Sequence, residues 1–305
     1  MGIIWGPGAV KQHISQIYEK ESSYNYIQVL EEDGYRYLRL NEGQGIHSIY
    51  HPEQEAFWGT WMQVLPAPFF NSPPYLPTDV EDMAIIGLAA GTSARQATKA
   101  FGPIPIDGYE IDREIIKVGQ SLFGMTDPNL NPIAQDGRWG LVHSGKKYTL
   151  ISIDAYRPPY IPWHLTTVEF FSEVYSHLDS DGAVVLNVGR VPDDEKLLSG
   201  LAATIQVVFP SVYIMDVPGT YNSMIYATVQ PTQWQNLEEN LAILMQDDDI
   251  NDTLLQSMRI VLLNMRPIPD GGIIFTDDKA PIEHITNQMV LHSILQDPQL
   301  LGGNE

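Results

Sequence analysis

A chain of 305 residues, 44% hydrophobic and only 18% charged, has room for a large α/β unit with a smaller one attached and is too apolar to be largely disordered. Its 17 Lys and Arg stand against 38 Asp and Glu, and the formal net charge of −21 repels nucleic acid and anionic lipid. The acidity favours small cations or simply keeps the protein in solution, and the lack of cysteine excludes disulfides, thiolate nucleophiles and Cys-based metal sites.

Taken in chain order, Met1–Val10 is apolar but short and Gly-rich, without the basic start of a signal peptide. It would suit the stub of a removed membrane segment, although no apolar run reaches the ~18 residues of a membrane helix. Tyr24–Leu30 and Tyr35–Leu40 alternate around the turn signal Glu32-Asp33-Gly34 and predict a β-hairpin, followed by a second hairpin-like piece through Ile46–Tyr50. The aromatic stretch Phe57–Leu65 predicts a helix. Pro66, Pro68, Pro73, Pro74 and Pro77 then close an N-terminal β-unit spanning 1–77.

From 78 to 230, short apolar runs alternate with helical stretches. Strands are expected at 84–86, 104–109, 148–153, 183–188, 212–216 and 223–229. Helices are expected at 92–101, 113–122, 167–178 and 194–209. Such alternation predicts a doubly wound, parallel, Rossmann-like α/β sheet, with its last two strands antiparallel at one edge. The remainder, 231–305, predicts a helical extension with a solvated charge run at Asp247–Asp249 and a frayed tail at Gly302–Glu305.

Gly87-Leu88-Ala89-Ala90-Gly91 follows a strand and opens a helix, where small residues let the chain turn tightly and a ligand approach. The spacing is not the full Gly-x-Gly-x-x-Gly of dinucleotide binders, and a plain tight turn is the bland alternative. Glu110 ends the next strand, about 20 residues beyond the glycine turn, where a carboxylate accepts from ribose hydroxyls; Asp112 reads as a helix N-cap. Gln135-Asp136-Gly137 marks the end of a further strand, third in order between those at 104–109 and 148–153, and Asp136 reads as an adenine-amino acceptor or as part of an ordinary Asp-Gly turn. Asp154 ends the fourth strand, a natural place for a base. His164 reads as a packing or capping residue. Three carboxylates at three successive strand tips describe a nucleoside pocket more specifically than any one of them. No His pairing on one helix indicates a metal site.

The sequence resembles the spermidine synthase (polyamine aminopropyltransferase) family, and more closely its divergent spermidine synthase-like branch. The resemblance rests on Glu21–Ile27, Ile85–Gly91, Tyr109–Asp112, Asp136-Gly137, Asp154, Pro162–Phe171 and Thr276–Glu283. It implies a methyltransferase-type fold and aminopropyl transfer from decarboxylated S-adenosylmethionine to a polyamine amine. In that reading Gly87, Ala89, Gly91, Glu110, Asp136, Gly137 and His47 bind the co-substrate. Asp154 is the catalytic base, Tyr156 and Arg157 bind the acceptor, and no metal takes part. It also implies a homodimer and a cytoplasmic location, with tethering where relatives carry preceding membrane helices.

Departures from the family pattern keep alternatives open. Ala90 stands where the family has an aspartate for the aminopropyl ammonium. Asp154-Ala155-Tyr156-Arg157-Pro158 replaces Asp-Ser-Ser-Asp-Pro, and Phe57–Trp61 replaces a Tyr-His-Glu element. His47 stands in place of a glutamine. S-adenosylmethionine-dependent methyl transfer to an unknown acceptor is one alternative, and a non-catalytic binding or assembly module is another.

Overall fold

The computed structural model describes residues 14–41, 45–54, 56–156, 160–191 and 194–296. Met1–Val10, Arg157 and Gly302–Glu305, which carried expectations above, lie outside them. Four antiparallel strands open the described chain: β1 (Gln16–Glu21), β2 (Tyr26–Glu32), β3 (Tyr35–Leu40) and β4 (Ile46–Tyr50). The hairpin of β2 and β3 is the one predicted, closed by Asp33 and Gly34 at positive φ. Strand β1 pairs with β2 outside it.

The predicted helix at Phe57–Leu65 does not form. The chain instead makes successive turns with i→i+3 bonds, such as Gln63 N–H to the Thr60 carbonyl, and runs into a 3₁₀ turn at Ala67–Phe70. Gly59 enters the segment at φ +121°, outside the right-handed helical region, and Pro66 and Pro68 bar an α-helix from continuing past Leu65. The apolar content marked burial only in part: Phe57, Met62, Val64 and Leu65 are buried, whereas Trp58 is exposed.

The large sheet comprises β5 (Met83–Ile86), β6 (Ile106–Glu110), β7 (Leu130–Ala134), β8 (Tyr148–Ile153), β9 (Leu178–Gly189), β10 (Ser211–Asp216), β11 (Asn222–Thr228) and β12 (Met265–Arg266). Its order is β12-β10-β11-β9-β8-β5-β6-β7. The pairs among β5, β6, β7, β8 and β9 are parallel, whereas β11, β10 and β12 add antiparallel at one edge. The doubly wound sheet with an antiparallel edge is therefore present. The helical extension also lends it a short strand, β12.

Helices cover both faces: α1 (Thr92–Phe101), α2 (Arg113–Leu122), α3 (Gly137–Val142), α4 (Val168–Ser176), α5 (Lys196–Gln206), α6 (Gln235–Leu244), α7 (Asp252–Asn264) and α8 (Ile282–Gln296). The central strands are apolar on both sides, as parallel strands between helix layers must be. Along β5, Met83 and Ile85 enter the core shared with Ala94, Ala97 and Phe101 of α1 and with α6 and α7. Ala84 and Ile86 enter the opposite core with Phe170 and Phe171 of α4 and Leu201 of α5. Each fully buried Met, Ile, Leu or Phe of this kind contributes about 1.5–3 kcal/mol, an Ala less. The small sheet has its own core, in which Ile27, Val29, Leu38 and Leu40 pack on Ile115 and Val118 of α2 and on Ala90. That packing brings the N-terminal unit over the carboxyl ends of β5 and β6.

Candidate active site

The crevice beyond the carboxyl ends of parallel strands is where an open α/β sheet binds ligands, because the helix N-termini converge there. Here it contains two adjoining cavities. One, about 430 Å³, is lined by Tyr24, Leu40, Ile86, Glu110, Asp136, Gly137 and His164 among others. The second, about 320 Å³, is lined by Trp61, Thr92, Ser93, Asn187 and Asn222 among others. Gly87, Ala89, His47, Asp154 and Tyr156 line both.

The turn after β5 is held by close backbone approach. Gly87 has φ +93°, and a Cβ there would lie 2.3 Å from the Asp154 carbonyl oxygen at the end of β8. Gly91, at φ +85°, caps α1 and packs on Met125. Between them Ala89 is itself left-handed, at φ +48°, and its N–H donates to Glu110 Oε2 at 3.0 Å. The Ala90 N–H donates to Ser48 Oγ of β4, and the Ala90 side chain is fully buried against the small sheet. Ala90 is thus turned from the cavities and lines neither.

Glu110 ends β6 and is buried. Each of its oxygens accepts one backbone N–H, from Ala89 and from Asp112, leaving further lone pairs for a ligand. Burial outweighs these bonds and pushes its carboxyl up to about 7. Asp112 caps α2 as expected, accepting from the Glu114 N–H. It also accepts from Ser22 Oγ and Asn25 Nδ2, which ties the β1–β2 turn to the site.

Asp136 caps α3 through the Trp139 N–H and meets His164 Nε2 at 2.9 Å. The His164 hydrogen bond holds the Asp136 carboxyl below the usual range. Reading His164 as a mere packing or capping group missed this pairing, since its sequence context carries no signal for it.

Asp154, immediately after β8, accepts from Asn187 Nδ2 at 2.9 Å, and Asn187 Oδ1 accepts from Asn222 Nδ2 at 2.9 Å. Desolvation raises the Asp154 carboxyl to about 6, against the lowering effect of Asn187. Tyr156 donates to the Asn187 carbonyl oxygen at 3.2 Å, and burial lifts its phenol well above the usual range. His47 is pushed down to about 4 by burial, so its imidazole is neutral near pH 7. Asn187 and Asn222 were not anticipated. Asn187 did leave a trace, as the lone polar residue in Val184-Val185-Leu186-Asn187-Val188; Asn222 left none.

No protein-family model matches the chain. A protein of Bifidobacterium longum (strain NCC 2705), named "Probable polyamine aminopropyl transferase", is 28% identical over 292 residues, covering 90% of this chain and 64% of that protein. The polyamine aminopropyltransferase of Vibrio vulnificus (strain CMCP6) is 28% identical over 214 residues, 66% of this chain and 68% of that protein. The chain is similar to the polyamine aminopropyltransferases. It spans under two thirds of the length of the Bifidobacterium relative. In fold it matches a probable spermidine synthase from Corynebacterium glutamicum ATCC 13032 at a TM-score of 0.66 and 16% identity, covering 85% of this chain and 96% of that one. Among the described residues, no group of three or more His, Asp or Glu could hold a metal, and no helix is long and apolar enough to cross a membrane.

Proposed function

We propose that this chain is an aminopropyltransferase that moves the aminopropyl group of decarboxylated S-adenosylmethionine to an amine of a polyamine. The observation that carries this reading is the place of Asp154, whose residue lines both cavities at their seam. The larger cavity takes the nucleoside. Glu110 accepts from the ribose hydroxyls, and Asp136, oriented by His164 and the Trp139 N–H, accepts from the adenine amino group. Gly87, Ala89 and Gly137 keep the backbone close, whereas Gly91, which lines neither cavity, shapes the turn from behind. Neutral His47 faces the sulfonium without adding a like charge.

The smaller cavity takes the acceptor, between Asp154, Tyr156 and the two asparagines; Arg157 keeps a part in acceptor binding only as the resemblance implies. An ammonium has no lone pair, so Asp154 accepts the proton the amine sheds. The exposed nitrogen then forms a bond to the carbon beside sulfur. The carbon–sulfur bond breaks, and its electron pair stays on sulfur as the neutral thioether of 5′-methylthioadenosine. That leaving group needs no acid. Asn187, fixed by Asn222, turns one oxygen of Asp154 away from the acceptor and leaves the other for the proton. The reading includes a cytoplasmic homodimer.

One observation favours a second reading. Ala90 supplies no carboxylate for an aminopropyl ammonium, which suits methyl transfer from full S-adenosylmethionine. Calorimetric titration with S-adenosylmethionine, its decarboxylated form and 5′-methylthioadenosine separates the two. Tighter binding of the decarboxylated form and of methylthioadenosine is the expected result. Binding of full S-adenosylmethionine alone would overturn aminopropyl transfer, and binding of none would favour a non-catalytic module.

A further inference from the structure

The closing segment Thr276–Glu283 takes no part in the chemistry above, yet it is anchored to the wall of the larger cavity through one guanidinium. Arg138 lies in the first turn of α3, two residues beyond Asp136. All five of its N–H groups are used. Nε and Nη2 donate to the two oxygens of Glu173 on α4, at 2.6 and 2.9 Å. Nη1 and Nη2 donate to the two oxygens of Asp277, each at 2.8 Å. The remaining Nη1 proton goes to the His164 carbonyl oxygen at 3.0 Å. The Arg138 side chain is only 16% exposed, although Glu173 and Asp277 are 33% and 37% exposed, and the double bidentate geometry makes this fork worth more than a single open surface pair.

Asp277 is held in turn. Thr167 Oγ1 donates to it at 2.7 Å, and its own N–H donates to Glu169 Oε2 at 2.9 Å. Antiparallel bonds between Thr276 and Lys279 close the turn that presents it. Neither Arg138 nor Asp277 lines the cavity, whereas His164 and Asp136 both do.

We propose that Asp277 is a positioning residue of the nucleoside subsite: through Arg138 it fixes the His164 backbone and the start of α3, and so the His164–Asp136 pair that faces the ligand. The inference rests on reading the larger cavity as the nucleoside site. Without Asp277 the guanidinium has one carboxylate instead of two and can swing toward Glu173. Its hold on the His164 carbonyl loosens, and the imidazole can part from Asp136.

The test is calorimetric binding of 5′-methylthioadenosine to the full chain and to Asp277→Asn, His164→Ala and the double variant. Asp277→Asn is expected to weaken binding by about 3- to 30-fold while the KM for the acceptor stays unchanged. In the His164→Ala background the same change should add about twofold or less, because the two act in one chain of contacts. Arg138→Lys keeps the charge but not the planar fork, and should reproduce the Asp277→Asn loss even if that variant folds poorly. Unchanged affinity in Asp277→Asn with a lowered Tm, or equal losses in both backgrounds, would overturn the proposal. If the unaltered chain does not bind 5′-methylthioadenosine, the nucleoside reading itself falls and the inference with it.

Discussion

Replacing Asp154 by Asn should slow turnover sharply and at the same time stabilise the protein. In the folded chain the Asp154 carboxyl titrates near 6 rather than 3.8, because desolvation penalises its charge. A shift of about 2 units corresponds to at most about 3 kcal/mol. Its sign follows from proton counting. Below the unfolded value both states hold the proton and there is no penalty. Between the two values the folded state keeps a proton that the unfolded state has released, so stability falls as pH rises. Above about 6 the whole penalty is in place. Asn cannot ionise, and its amide oxygen can still accept from Asn187. The variant therefore gains on its parent as pH rises, reaching a plateau near neutrality. With about 2.1 cal/mol/K of unfolding entropy per residue, 3 kcal/mol is roughly 5 °C in Tm. Loss of the base should slow release of 5′-methylthioadenosine by about 100- to 10,000-fold. Thermal melts at pH 5 and pH 8, with a chromatographic assay of methylthioadenosine, measure both effects. A Tm difference that does not widen with pH would refute the desolvation argument. Undiminished turnover would refute Asp154 as the base.

Asn187→Ala removes the hydrogen bond that holds the Asp154 carboxyl down, so the acid limb of the rate profile should move to higher pH while the rate on its alkaline side changes less; an unmoved limb would mean Asn187 does not touch the reacting carboxylate. Glu110 titrates near 7, and ribose hydroxyls favour its ionised form, so affinity for methylthioadenosine should rise about tenfold between pH 6 and pH 8. Glu110→Gln should flatten that dependence in calorimetry, and a dependence that survives the change belongs to another group. Gly87→Ala sets a Cβ against the Asp154 carbonyl in a left-handed backbone, and a loss of more than about 2 kcal/mol in urea unfolding is expected.

What the sequence determined by itself is what local pattern encodes. Short, largely apolar runs such as Ala84–Ile86 and Leu150–Ile153 suit strands buried on both faces, and their alternation with helical stretches points to the doubly wound sheet. Once strand ends are known, the crevice rule brings Glu110, Asp136 and Asp154 together, because parallel strands deliver their tips to one edge. Apolar content at Phe57–Leu65 signalled a largely buried segment but not its backbone shape, which Gly59 at φ +121° takes out of the helical region.

Only the tertiary structure decided which side chains complete the site. Asn222, Asn187 and Asp154 are far apart in the chain, and they meet because β11, β9 and β8 are neighbours in the sheet. Arg138 and Asp277 join through a loop returning from the far end of the chain. The same packing set the charge states, with Glu110 near 7, Asp154 near 6 and His47 near 4. Desolvation depends on what surrounds a group in space, and no spacing along the chain encodes that.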